Sequence, residues 1–192
     1  MRRIIDIPAI LALGVASFGF ASYAQAQQTD VYSTKFLCGE FHGVPGALEG
    51  PVKPGNYLTA INVHNPNGGN VFLRKKAVLL FRADQQPPPP PETSMPPGPL
   101  ITLGLHPDFG FEIDCNDIRQ VLLGGSVPPN VFIKGFVVIE VSAQGPQHGT
   151  PPPPIDVVPV YTSHGFDADA MGFHPRGFSL DVERVSPVRR VF

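Results

Sequence analysis

The sequence predicts an all-β protein, built as a single antiparallel β-sandwich that is immunoglobulin-like in size and strand spacing. A jelly roll is the alternative, because strand number alone does not separate the two. Apolar and polar residues alternate with a period of two in several segments, whereas helical periodicity is scarce. The 24 prolines and 20 glycines among 192 residues favour frequent turns over long helices. A hydrophobic content of 42% is sufficient for a buried core.

Seven segments have the composition of strands. In the clearest of them, Phe109, Phe111 and Ile113 alternate with polar residues or glycine, which gives one apolar face and one solvated face. The most apolar segment covers residues 131–142 and predicts a central strand, partly covered on both faces. The predicted strands are 31–38, 57–65, 71–83, 109–114, 131–142, 155–162 and 178–183.

Local signals between and within these strands predict further features. Residues 67–70 (Asn-Gly-Gly-Asn) predict a hairpin turn between the second and third strands. Lys75 and Lys76 in mid-strand indicate a bulge or bend. Pro159 cannot donate a ladder hydrogen bond, which favours an edge strand or a bulge there. One short helix is expected at 117–123, capped by Asn116.

The N-terminus has the pattern of a secretory signal peptide over residues 1–26. Arg2 and Arg3 precede an apolar stretch, and Ala24-Gln25-Ala26 is a small-x-small cleavage site. An uncleaved anchor is disfavoured because the apolar run is shorter than a membrane span requires. We therefore expect a periplasmic or extracellular protein without membrane insertion of the mature chain. Residues 27–192 form one predicted domain, with Pro-rich loops at 85–99 and 145–154.

The two cysteines, Cys38 and Cys115, predict a structural disulfide because an exported protein folds in an oxidising compartment. The alternatives are a reactive thiol or a metal ligand. Neither cysteine lies in a C-x-x-C motif, and both flank apolar strand-like segments. The structural disulfide is therefore the preferred interpretation.

The motifs of several enzyme classes are missing from the sequence. There is no G-x-S-x-G, H-E-x-x-H, Walker A motif or strand-linked G-x-G-x-x-G. Fourteen basic against 16 acidic side chains also disfavour nucleic-acid binding, which needs a strong basic field. The sequence thus favours a protein that is not an enzyme and holds no cofactor.

A polar segment near the C-terminus is the best candidate for chemistry. Imidazole and carboxylate groups suit a divalent transition metal, and a histidine from a neighbouring strand could complete the ligand set. The spacing matches no known metal motif, however, and glycine-rich loops collect such residues because they are solvated. The solvated loop is preferred, and a metal site remains the alternative. Its candidate ligands are His64, His164, Asp167, Asp169 and His174.

Four segments resemble a group of uncharacterised exported bacterial proteins. They are 57–66 (YLTAINVHNP), 111–115 (FEIDC), 158–162 (VPVYT) and 179–185 (SLDVERV). In that group a strand ending in Asn-Pro precedes a sandwich whose last strand has the pattern S-x-D-V-E. The resemblance implies a β-sandwich fold and brings no activity or site residues.

Together these observations predict a non-catalytic exported β-sandwich with a binding, structural or accessory role. The expected partner is another extracellular or periplasmic protein, because the loops of a rigid sandwich often carry binding. A small metal-binding protein or metal-dependent enzyme is the alternative. The sequence does not predict an oligomeric state, but an exposed apolar patch beside an edge strand would indicate self-association.

Overall fold

Nine β-strands and one short helical segment make up the computed structural model, which describes residues 28–42, 52–80, 100–125, 127–143, 151–169 and 172–191. Side chains are described throughout these ranges except at 166–169 and 172–176. A short helix, α1 (Cys115–Asp117), continues as a π-helical turn over Ile118–Leu122. The strands are β1 (Gln28–Phe41), β2 (Gly55–His64), β3 (Val71–Leu79), β4 (Ile101–Leu105), β5 (Gly110–Ile113), β6 (Ile133–Ser142), β7 (Asp156–Asp169), β8 (Gly172–Val182) and β9 (Val188–Val191).

The strands form one antiparallel sheet that curls into a half-barrel, so the all-β, antiparallel part of the prediction is confirmed. The strand order is β4-β3-β6-β1-β2-β7-β8, while β5 pairs with β2 and β9 pairs with β1. The sheet has two limbs. The first limb contains β4, β3, β6, β9 and residues 28–38 of β1, and the second contains residues 39–41 of β1 with β2, β5, β7 and β8.

Strand β1 passes from the first limb to the second at Gly39. Residues up to Cys38 pair with β6, whereas Gly39 pairs with Tyr57 of β2. Gly39 has φ +100°, a conformation that is strained for residues with a side chain. A Cβ at this position would also lie 2.6 Å from the Val131 carbonyl oxygen. The corner between the limbs therefore requires glycine.

The core lies between the inner faces of the two limbs. Alternate residues of β6 are buried against the second limb, and Phe36 on β1 is fully buried beside them. The ring of Phe36 lies over Gly135, where a Cβ would be 2.7 Å from the ring and 2.1 Å from the Val78 carbonyl oxygen. This close approach explains the glycine in the apolar row of β6. The largest fully buried side chains are Tyr32, Phe36, Ile61, Leu73, Ile113, Ile118, Leu122 and Ile139.

All seven predicted strands overlap strands of the structure. The most apolar one, β6, is a central strand as predicted, because it pairs with β3 on one side and with β1 on the other. Two short strands, β4 and β9, were not predicted. The predicted edge position of Pro159 is wrong, because β7 pairs with β2 on one side and with β8 on the other. Its carbonyl oxygen accepts a hydrogen bond from the Glu183 amide, so the missing N–H costs only one ladder bond.

The predicted hairpin at 67–70 is also wrong, because β2 and β3 belong to different limbs and do not pair. The connection instead crosses between the limbs and is organised by the buried side chain of Asn65. Its amide nitrogen donates to the carbonyl oxygens of Gly69, Leu105 and His106 at 2.9–3.0 Å. The chain does bend at 67–69, as the sequence indicates. Its path after the bend, towards the first limb, depends on the distant partners Leu105 and His106.

The bulge predicted at Lys75 does not occur, because β3 pairs with β4 and β6 without a register shift. Lys75 instead points towards the core, with its Nζ 4.9 Å from the centroid of the Phe111 ring. Burial lowers the pKa of Lys75, and the charge of Asp117 opposes that shift. The helix was placed correctly, but its N-cap is Asp114, whose Oδ1 accepts the Asp117 amide at 2.8 Å, and not Asn116.

The predicted signal peptide, the Pro-rich loop at 85–99 and residues 145–150 of the second loop lie outside the described residues. Residues 151–155, the end of the second Pro-rich segment, have no regular secondary structure. Within the described part of the chain, no helix has the length and apolar character needed to cross a bilayer.

Candidate binding groove

The most distinctive feature of the sheet is a gap along one edge of β1. The strand β9 covers that edge over residues 28–31, and β2 covers it over residues 39–41. Between them, residues 32–38 pair with β6 on the other side, and no described strand pairs with them on this side. Such an uncovered edge is the structure to which an additional strand can bind.

Ser33 and Lys35 direct their backbone groups into this gap, as the orientation of Leu37 on the same strand shows. Both the amide and the carbonyl of Leu37 hydrogen-bond to Thr59 Oγ1 of β2 at 3.0 Å, which shows that Leu37 faces the gap. Because backbone groups alternate between the two edges of a strand, those of Ser33 and Lys35 face the same way. The side chains of both residues are exposed. The gap therefore offers the N–H and C=O groups of these two residues to a ligand, and the Lys35 carbonyl oxygen also accepts the Thr34 hydroxyl at 3.5 Å.

A groove of about 370 Å³ lies beside the gap, between β1 and the inner face of β7 and β8. Ser179 and Asp181 of β8, and Glu183 directly after this strand, are exposed. Its walls are formed by Lys35, Leu37, Val52, Tyr57, Leu58, Thr59, Tyr161, Thr162, Ser163, Ser179, Asp181 and Glu183.

Tyr161 joins the two sides of the groove. Its hydroxyl lies 3.3 Å from Thr34 Oγ1 on β1 and donates to Glu183 Oε2 at 3.5 Å. Burial is the main cause that raises the pKa of Tyr161; the Thr34 hydrogen bond lowers it and the Glu183 charge raises it. The phenol is therefore neutral at physiological pH and acts as a hydrogen-bonding group. Two carboxylates, Asp181 and Glu183, face one ammonium, Lys35, so the groove carries a net negative charge.

The end of the gap beside β9 is held by charged and hydrogen-bonded groups. Arg189 of β9 donates from Nε and Nη2 to the two carboxylate oxygens of Asp30 at 2.8 and 2.9 Å, and the Asp30 side chain is 3% exposed. Bidentate pairs of this kind fix geometry as well as adding energy. The Tyr32 hydroxyl accepts the Ile155 amide of the opposite limb at 3.1 Å.

The other end of the gap, at the Gly39 corner, is held by the disulfide and by a buried arginine. Cys38 and Cys115 are bonded, with their Cα atoms 5.6 Å apart, so the predicted disulfide is confirmed. Arg119 is 3% exposed and donates to the carbonyl oxygens of Cys38, Val131 and Pro128. Burial lowers the pKa of this guanidinium. Both ends of the open segment are therefore fixed.

The predicted metal ligands are not all brought together. His64 is opposite Asp156 at one end of β2, whereas His164 is opposite Asn56 at the other end. Eight residues of strand separate the two positions, which is about 27 Å. The Nδ1 of His64 lies 3.4 Å from Asp156 Oδ2, and the ring of His164 contacts Phe178 with centroids 5.2 Å apart.

The remaining predicted ligands lie in the β7–β8 hairpin. The backbone places Asp167 directly opposite His174 and Asp169 opposite Gly172. The side chains of Asp167, Asp169 and His174 are outside the described residues. Among the residues that the structure does describe, no three histidine, cysteine or carboxylate side chains form a group that could hold a metal ion.

Sequence reasoning did not identify the groove. Ser33 and Lys35 have the ordinary pattern of exposed strand residues, and Asp181 and Glu183 are alternate polar residues of the predicted strand 178–183. No signal in the sequence indicates the incompletely covered neighbour, because the four residues of β9 are all exposed and have no alternating pattern. No family model matches the chain, and comparisons with curated proteins and with solved structures also found no match.

Proposed function

We propose that this chain is a non-catalytic exported protein that binds an extended segment of another exported protein. The segment would add a strand to the open edge of β1 and place alternate side chains in the neighbouring groove. The single observation that supports this function most strongly is the gap between β9 and β2, with the backbone groups of Ser33 and Lys35 directed into it.

The two limbs would act as the two layers of a β-sandwich in this proposal. Contacts between them, such as the Tyr32 hydroxyl with the Ile155 amide and Leu37 with Thr59, support a layered arrangement. That the chain is similar to exported bacterial sandwich proteins is also part of this proposal. A rigid layered scaffold suits strand addition because the open edge then loses little conformational freedom on binding.

Backbone hydrogen bonds alone would not make the interaction specific. Four bonds at about 0.5–1.5 kcal/mol each contribute about 2–6 kcal/mol in total. Sequence preference must therefore come from the groove, where Asp181, Glu183 and the neutral Tyr161 are within reach of the added strand. We expect a ligand with basic side chains on the face that points into the groove.

Binding is favoured over catalysis because of what the groove contains. Its described lining residues are hydroxyl, carboxylate, amine and apolar groups, without the histidine or cysteine that commonly activates a nucleophile or transfers a proton. The disulfide fits an oxidising, exported compartment, and it supports a partner found outside the cytoplasm.

A proline substitution tests strand addition directly. Lys35→Pro removes an amide hydrogen that faces the gap and leaves the ladder with β6 intact, so the fold should persist. The matched control, Lys35→Ala, removes the same side chain but keeps the amide. The probe is a hexapeptide of alternating lysine and valine, titrated by NMR.

We expect Lys35→Ala to bind the probe at least as tightly as the wild type, and Lys35→Pro to bind it at least tenfold more weakly. Wild-type affinity in a folded Lys35→Pro variant would contradict strand addition at this edge. If Lys35→Pro does not fold, the double variant Asp181→Asn, Glu183→Gln replaces it. This variant should lose affinity for the lysine probe, and unchanged affinity would exclude the groove.

A further inference from the structure

The strand β9 occupies part of the same edge of β1 that the proposed ligand binds, but it buries none of its own residues. Among the described strands, β9 pairs only with β1. All four of its residues are exposed, and Val188 and Val191 are 66% and 62% exposed. β9 therefore adds no side chain to the core, and its attachment depends on its pairing with β1.

The edge beneath β9 is continuous with the gap. Residues 29–38 of β1 pair with β6 without a register shift, so the alternation shown by Leu37 extends to the start of the strand. Thr29 and Val31 therefore direct their backbone groups towards β9. This strand is antiparallel to β1 and begins with Val188 opposite Val31. An antiparallel ligand strand that continued beyond the gap would take the position of β9.

The chain can release β9 without disturbing the second limb. The Val185 amide donates to the Val157 carbonyl oxygen of β7 at 3.0 Å, so the chain is attached to β7 up to this residue. Ser186 and Pro187, which follow, are exposed and have no regular secondary structure. A movement of β9 away from β1 therefore needs a change of backbone conformation at these two residues only.

One ion pair determines what could replace β9. The Asp30 carboxylate that Arg189 binds is 3% exposed, whereas the Arg189 side chain is 49% exposed. Loss of the partner of a buried charge is strongly destabilising. A strand that replaced β9 would therefore need its own cation at Asp30, and an arginine reproduces the bidentate geometry of the present pair.

We propose that β9 is a displaceable cover of the binding edge, and that a ligand strand longer than the gap replaces it and places its own arginine at Asp30. This inference rests on the proposed function, because it concerns the same edge. It also gives the ligand a pattern. Asp30 and Thr34 lie four residues apart on the same face of β1, so the ligand carries an arginine four residues after the side chain that faces Thr34 and the groove.

Peptides of two lengths test this inference. The first is the lysine–valine hexapeptide, beginning with valine, which can lie opposite residues 32–37 inside the gap. The second is a decapeptide that continues the hexapeptide with Val-Arg-Arg-Val, the sequence of β9. In the register of β9, its first arginine lies opposite Asp30 and the lysine four residues earlier lies opposite Thr34. A control decapeptide has glutamine in place of that arginine.

Two altered chains are compared with the wild type. The first ends at Pro187 and lacks β9. In the second, Gln28→Cys and Val191→Cys lock β9 onto β1, because these residues are opposite each other in a pair without mutual hydrogen bonds, with Cα atoms about 4.5 Å apart. The lock adds a covalent bond to the native pairing, so this variant should fold.

We expect the chain that ends at Pro187 to bind the decapeptide at least tenfold more tightly than the wild type, because only the fraction of wild-type molecules with β9 released can bind the whole decapeptide. The two proteins should bind the hexapeptide with affinities that agree within about twofold. The glutamine control should bind the shortened chain at least tenfold more weakly than the decapeptide. Equal affinities of the shortened chain and the wild type for the decapeptide would overturn the inference.

NMR shows whether β9 leaves β1 in the full chain. With saturating decapeptide, residues 188–191 of the wild type should give a second set of amide signals at the shifts of an unstructured chain, and the locked variant should not. The absence of that set in the wild type would contradict displacement. If the shortened chain does not fold, Arg189→Gln replaces it and should bind the decapeptide at least threefold more tightly than the wild type; unchanged affinity would overturn the inference.

Amide exchange without any peptide separates this inference from the proposed function. The amides of Thr29 and Val31 face β9 and should exchange at least tenfold faster than those of Asp30 and Tyr32, which face β6, because β9 opens without the rest of the sheet. Equal exchange would show that β9 is fixed and would overturn the inference even if the hexapeptide binds. If the hexapeptide does not bind the wild type, the proposed function is wrong, and the assignment of this edge to a longer ligand fails with it.

Discussion

Removal of the disulfide is the change whose effect can be worked out most fully from the structure. The bond joins Cys38, at the end of the first limb on β1, to Cys115, where α1 begins, and it spans 77 residues of sequence. In the chain-entropy model, a cross-link of that span lowers the entropy of the unfolded chain enough to add about 4.5 kcal/mol at 25 °C. The replacement should keep Thr59 satisfied, because its amide donates to Cys115 Sγ at 3.3 Å.

The variant Cys38→Ala, Cys115→Ser meets this requirement, since a serine hydroxyl can accept the same hydrogen bond. We expect its free energy of unfolding to be about 4–5 kcal/mol below that of the wild type, with a melting temperature about 9–18 °C lower. Urea unfolding is followed by circular dichroism, because the chain has no tryptophan.

The wild type in reductant is the control and should unfold at nearly the same urea concentration as the variant. A loss below about 1 kcal/mol would refute the reasoning, because it would mean that the segment between the cysteines is already constrained in the unfolded chain.

Three further predictions concern the corner, the tyrosines and the metal alternative. Arg119→Leu should lower the free energy of unfolding by about 3 kcal/mol in urea, because it removes the hydrogen bonds of a charged, buried guanidinium to three carbonyl oxygens; a loss under about 0.5 kcal/mol would contradict that role. Burial raises the pKa of all three tyrosines that follow the predicted signal peptide, so the free energy of unfolding should fall as the pH rises above about 10, where the unfolded chain loses its phenolic protons first. Absorbance at 295 nm should show less tyrosinate in the folded than in the urea-unfolded protein at pH 10, and equal ionisation would contradict burial. These tyrosines are Tyr32, Tyr57 and Tyr161. Replacing His164 and His174 by alanine should leave the metal content, measured by mass spectrometry of the purified protein, unchanged; loss of one metal per chain would favour the metal-binding alternative.

The sequence was sufficient to locate most of the strands because each carries its own alternating pattern. β6 buries every second residue and β2 does so from Thr59 to Val63, and this periodicity can be seen without any knowledge of their neighbours. β4 has the same pattern in Ile101, Leu103 and Leu105, but it is five residues long and follows a Pro-rich stretch. β9 has no alternation, since its four residues are all exposed.

The errors concern features that depend on distant parts of the chain. Residues 67–70 have the local sequence of a hairpin turn. However, Asn65 hydrogen-bonds to the carbonyl oxygens of Leu105 and His106, which lie 40 and 41 residues away in the sequence, and these bonds direct the connection to the other limb. Lys75 is a charged residue at a core-facing position, where it contacts the Phe111 ring and interacts with the charge of Asp117. The cap at Asp114 could have been recognised locally, because Asp114 precedes Asp117 by three residues.

The groove could not have been predicted, for a related reason. An open edge is a property of which strands are missing beside β1, and strand order is set by contacts between residues far apart in sequence. The disulfide was predictable because the chain has only two cysteines and an export signal pattern. Its position beside the Gly39 corner, next to the groove, became visible only in the structure.

Amide hydrogen exchange along β1, measured by NMR, is the most direct test of the proposed binding edge. The amides of Thr34 and Phe36 face β6 and should exchange at least 100-fold more slowly than those of Ser33 and Lys35, which face the gap. Addition of the lysine–valine hexapeptide should slow Ser33 and Lys35 and leave Thr34 and Phe36 unchanged. Slow exchange of Ser33 and Lys35 in the free protein would show that another part of the chain covers this edge, and would contradict the account.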